Sequence, residues 1–129
     1  MAPGSAPSAP RNARLTPEQM RRGIRRLEAC IAELEAFDPA AVLARPEEIT
    51  AKAGGMKASI ESALDRTFGH GTVEYERYSV AASFDVPFSI DYEYSRDVTI
   101  EGLGKARTRS LALLRQALAR LKTQLQFEA

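Results

Sequence analysis

The sequence predicts a mainly α protein: a bundle of three long helices with short helical turns and one extended strap over residues 84–94. Three observations carry this expectation. Apolar residues recur at alternating steps of four and three over residues 20–34 and 111–125, with a looser run between them. Helix-start chemistry stands directly in front of the first run. One segment alone alternates apolar and polar residues at period two, so the chain offers it no second strand to pair with.

The first helix is announced by Thr16 as N-cap, Pro17 at the first helical position and Gln19 completing a capping box. Leu15 and Met20 are spaced for a hydrophobic staple across that start. Met20, Ile24, Leu27, Ile31 and Leu34 then form one apolar seam, which Phe37 extends. Asp38-Pro39 stops this helix and caps a short turn through Val42 and Leu43. Pro46 is expected to open the second long helix, with Ile49, Ala53, Met56, Ile60, Leu64 and Phe68 on its buried side. Gly54-Gly55 interrupts that helix at about 1 kcal/mol per glycine relative to alanine. Close approach of another helix is the expected reason, and a kink is the alternative.

Gly69 fits a left-handed helix stop, Gly71 keeps the following loop tight, and Thr72 is placed to cap a short helix through Tyr78. From Phe84 to Tyr94 the period changes to two, and Pro87 forbids a central strand there. The segment reads as a strap laid across helices, or as an edge that pairs with another chain. Asp97 is placed to cap the last helix, whose start Gly102 and Gly104 weaken. Its seam is Leu111, Leu114, Leu118, Leu121 and Leu125. The first ten residues, MAPGSAPSAP, hold no large apolar side chain besides Met1. Residues 1–14 are therefore expected to be a disordered tail or a remnant foreign to the fold, and 15–129 a single helical domain.

At 129 residues the chain is long enough for one modest core without staples. It has one cysteine, one histidine and no tryptophan, which excludes a disulfide scaffold and a zinc site built from Cys and His. No apolar run approaches the roughly 18 residues of a spanning helix, and a secretory signal is absent from the N-terminus. A cytoplasmic protein without membrane contact is expected, and the lone Cys30 suits a reducing compartment.

Net charge is +1, but it is strongly blocked along the chain. Residues 1–26 carry six Arg against Glu18, and residues 27–50 carry six acids against Arg45. Residues 79–101 hold five acids against Arg96, and residues 102–129 hold six bases against Glu128. These blocks are expected either to pair within the fold or to face a charged partner. The sharpest feature is the cluster Arg21, Arg22, Arg25 and Arg26, whose i,i+4 spacing sets like charges side by side and asks for an anion opposite. Phosphate would serve, since Arg forks to its oxygens. An acidic partner within the chain or on another subunit is the preferred reading, because a net charge of +1 is far from that of dedicated nucleic-acid binders. The bases of the last helix read as an ordinary solvated face.

Chemistry-bearing residues are sparse. His70 reads as a solvent-facing loop histidine, and Cys30 as a small apolar residue beside the seam. Of the tyrosines, Tyr75 and Tyr78 read as core and rim, while Tyr92 and Tyr94 are candidate interface residues. P-loop, dinucleotide, zinc-protease and EF-hand motifs are missing, and EGLGKAR lacks phosphate-loop spacing. No catalytic, metal or cofactor residue is assigned.

Phe68-Gly69, followed by Glu74-Tyr75 and Arg77-Tyr78, and then the leucine-rich final helix, form a pattern over residues 18–125. It resembles a helical accessory module of bacterial proteins that carry Toll/interleukin-receptor-like or other nucleotide-related effector domains, often in anti-phage defence. The resemblance implies an adaptor or oligomerisation role, with effector chemistry outside these residues. The expectation is thus a non-catalytic protein-interaction or self-association module, binding itself or a partner protein without a cofactor. A nucleic-acid-binding helical protein using the Arg21–Arg26 face is the alternative.

Overall fold

A computed structural model describes residues 11–43, 48–83 and 96–128. Its helices are α1 (Pro17–Ala36), α2 (Pro39–Leu43), α3 (Ile49–Phe68), α4 (Val73–Tyr78) and α5 (Arg96–Glu128), with a 3₁₀ turn at Ser79–Ala82 between the last two. The mainly α bundle with three long helices is as the sequence predicts. The strap expected at 84–94 lies outside the described residues, as do Tyr92 and Tyr94.

α1 starts as its sequence dictates. Thr16 Oγ1 accepts from the Gln19 amide at 3.1 Å, and the Gln19 side chain returns the bond to the Thr16 amide at 2.8 Å. With Pro17 lacking an N–H, two of the three orphan donors at the helix start are thereby satisfied. The α2 turn is held by Asp38 Oδ1, which accepts from the Ala40 amide. α3 begins at Ile49, three residues after the Pro46 expected to open it, and residues 44–47 lie outside the described set. α3 ends on Gly69 at φ +90°, and Gly71 follows at φ +87°. Both are left-handed positions where a β-carbon is strained, so the reversal into α4 needs these glycines. Thr72 Oγ1 then caps α4 through the Tyr75 amide.

α1 is the central element. Its contacts with α5 fall from Leu34 and Glu35 at Arg107, through Glu28 at Lys122, to Gly23 at Leu121, so the two helices run antiparallel. Against α3, Glu33 meets Ser59 and Gly23 meets Thr67, again antiparallel. α3 and α5 therefore run parallel to each other, flanking α1, and the 3₁₀ turn packs against both. The core joins the predicted seams: Leu27, Leu34, Ile60, Leu64, Leu103, Leu114 and Leu121 are fully buried. Each such side chain contributes about 1.5–3 kcal/mol through burial.

One expectation about glycine is corrected. Gly54 and Gly55 are exposed, and a β-carbon on either would meet nothing within 4 Å, so no described helix approaches there. The close approach is at Gly23 instead. A β-carbon there would stand 2.7 Å from Thr67 Cγ2 and 3.2 Å from Leu121 Cδ1, because α1, α3 and α5 converge on that point.

Two helix-boundary expectations also change. Asp97 lies inside α5 rather than capping it, and the helix runs through Gly102 and Gly104 without a break. Packing outweighs glycine's propensity there, since the intervening Leu103 is fully buried. At the N-terminus, residues 11–14 belong to the folded structure rather than to a disordered tail. The Arg11 carbonyl accepts from the Val73 amide at 2.9 Å, and Ala13 packs against the core.

Candidate interaction surface

The charge blocks pair across the α1–α5 contact. Glu35 meets Arg115 at 3.0 Å and Glu28 meets Lys122 at 3.6 Å, joining the acidic half of α1 to the basic last helix. Both pairs are half-exposed, so each contributes at most about 1 kcal/mol. Their consequence is assignment: these acids already have cations.

The bases of α5 are more than a solvated face. Arg107 forks to the last carbonyls of α1, Arg109 Nη2 donates to the Ser83 carbonyl at 2.9 Å, and buried Ser110 donates to the Ala81 carbonyl. Sequence reasoning missed these roles. A signal was present, because the last turn of α1 carries no base of its own and Phe37 stands where a C-terminal glycine would close the helix.

The Arg cluster divides in the structure. Arg22 pairs with Glu18 at 2.7 Å within its own helix, and Arg26 lies 3.4 Å from Thr67 Oγ1 on α3. Arg21 and Arg25 are exposed and have no ion-pair partner among the described residues. Their positive field is therefore available to another molecule.

At the other end of α1 the sign reverses. An open groove of about 640 Å³ is lined by Glu33, Phe37, Asp38, Glu48, Lys52 and Met56, together with smaller residues including exposed Gly55. Among the described residues three acids and one base line it, with an apolar side chain on each wall. Glu33 accepts from Ser59 Oγ at 3.0 Å, and Asp38 is held by its capping bond. The two ends of α1, a helix about 30 Å long, thus carry opposite charge.

The remaining candidates are structural. Cys30 is buried, and burial, with the Glu33 carboxylate adding to it, pushes its thiol up to about 11. Such a thiol is a poor nucleophile at neutral pH. His70 is exposed and stands edge-on to Tyr75, ring centroids 4.9 Å apart. Tyr78 is buried against Phe68 at 5.8 Å, so the core reading of that tyrosine holds. Among the described residues, no three His, Cys, Asp or Glu side chains converge as a metal site would require. No described helix is long and apolar enough to cross a membrane.

No family model matches this chain, and no curated protein or solved structure matches it either.

Proposed function

We propose that this chain is a non-catalytic self-association module, in which the Arg21–Arg25 face of one copy docks against the acidic groove of another. The observation that supports this reading is the segregation of charge along α1. Its acidic half is partly neutralised by α5, its basic start is left open, and an acidic groove with apolar walls stands at the far end. Unlike patches at opposite ends of one molecule make a heterologous contact, which builds chains or rings rather than a two-fold dimer. Electrostatic complementarity of this kind sets register and speeds encounter.

The resemblance of the Phe68–Tyr78 corner to defence-associated accessory modules agrees with such a role. On that reading the module gathers copies of a bacterial anti-phage effector in the cytoplasm. The test is the absolute mass of the protein in solution at tens of micromolar, at low and high salt. A mass above 14.1 kDa that falls as salt rises is expected. A second reading, nucleic-acid binding, is favoured by the same unpaired arginines. Salt-sensitive binding of short oligonucleotides that Arg21→Glu and Arg25→Glu together abolish would put it first.

A further inference from the structure

Glu74 is an acid in the first turn of a six-residue helix, yet it is only 3% exposed. A buried carboxylate needs donors aimed at it. The donor here comes from 61 residues away: the Ala13 amide bonds to Glu74 Oε1 at 2.9 Å. One residue earlier, the Val73 amide is a first-turn orphan of α4, and it finds its acceptor in the Arg11 carbonyl of the same arm. Arg11 and Thr72 form a parallel bridge, so the arm lies extended along this corner.

We propose that residues 11–14 are a latch, an extended arm that closes on the Thr72–Glu74 corner and opens as a unit of its own, with Glu74 as the catch. Three features set the arm apart from the bundle. Arg11, Asn12 and Arg14 are exposed, and only Ala13 turns partly inward. The bonds that hold it are few, and they end at Thr16, where the capping box starts α1 independently. The receiving corner is tied into the core, since Phe68 and Tyr78 are buried with ring centroids 5.8 Å apart. Weakly held segments open at lower free energy than the whole fold. In the closed arm Arg14 lines one surface cleft together with Leu15, Met20, Gln124 and Phe127 at the end of the bundle, so opening withdraws a cation from that cleft and uncovers Glu74. The latch stands whether or not the chain self-associates.

Amide hydrogen exchange on the full chain tests it. The Ala13 and Val73 amides are expected to exchange together, about tenfold or more slower than an unstructured chain and about a hundredfold or more faster than Leu27 and Leu114. Ala13→Pro removes the donor and changes, outside the arm itself, only the arm's own partly buried contact with the core. It is expected to bring the Val73 amide to the unstructured rate and to speed tryptic cleavage after Arg14 about tenfold or more, with Leu27 and Leu114 unchanged. Glu74→Gln, which keeps an acceptor but no charge, is expected to fall between the parent and Ala13→Pro. Ala13 exchanging at the unstructured rate in the parent would overturn the latch. So would exchange in step with Leu27, or an Ala13→Pro chain in which Val73 protection and cleavage at Arg14 do not change.

Discussion

Arg107 Nε donates to the Leu34 carbonyl at 3.0 Å while its Nη2 reaches the neighbouring Glu35 carbonyl at 2.8 Å, so a side chain of α5 caps the C-terminus of α1. The Leu34 carbonyl also accepts from the Phe37 amide at 3.1 Å, and both carbonyls lie at the negative end of the helix dipole. A guanidinium supplies the fork and the charge at once. Arg107→Ala is expected to destabilise the fold by about 1–3 kcal/mol, read from the midpoint of urea unfolding. Arg107→Lys keeps the charge but not the fork, and is expected to recover only part of the loss.

Gly23 and the Gly54-Gly55 pair are expected to respond in opposite directions to the same substitution. Gly54→Ala and Gly55→Ala place a methyl in open space and should each raise stability by about 0.5–1 kcal/mol. Gly23→Ala drives a methyl against Thr67 Cγ2, and is expected to cost about 1–3 kcal/mol despite the better helix propensity. Thr67→Ser removes that γ-carbon and should restore part of the loss in the double variant. Thermal unfolding of the four chains checks all three statements.

These cases show where the sequence was legible. The start of α1 was readable because Thr16, Pro17 and Gln19 act within one turn. The seams were readable because a helix's own period places them on one face. Gly23 was not, since its reason for being glycine is Thr67 on another helix. Gly54-Gly55 misled for the converse cause: two glycines suggest an approach that only a neighbouring element can supply. Of the Arg cluster, the sequence supplied the residues and the i,i+4 pairing of Glu18 with Arg22. It could not show that α5 would take up Glu28 and Glu35 and leave Arg21 and Arg25 open.

The buried Cys30 gives a pH prediction. Its folded-state pKa of about 11 lies above the ordinary 9.0, so the folded protein holds the thiol proton more tightly than the unfolded chain. The contribution is fully present below pH 9.0 and is lost as pH rises through about 11. Cys30→Ser should flatten that part of the stability profile. Alkylation of the parent at neutral pH should be slow, and should speed up sharply in denaturant.

Leu114 is fully buried in the middle of the α5 seam. Leu114→Ala is expected to cost about 2–5 kcal/mol, with loss of the cooperative transition if the remaining stability is small. Leu118 on the same seam is only partly buried and should cost less. Denaturant titration of both variants provides the comparison.

The central claim is that the basic start of α1 in one copy meets the acidic groove of another, and a charge swap read by light scattering tests it most directly. The Arg21→Glu/Arg25→Glu chain and the Glu33→Lys chain are each expected to remain folded and to scatter as 14.1 kDa monomers at tens of micromolar. Mixed in equal amounts, they are expected to associate, because the native basic start of the Glu33→Lys chain meets the native groove of the other chain and the new acids meet the new base. A parent chain that is itself monomeric under these conditions, or swapped chains that associate alone as well as they do together, would contradict the account.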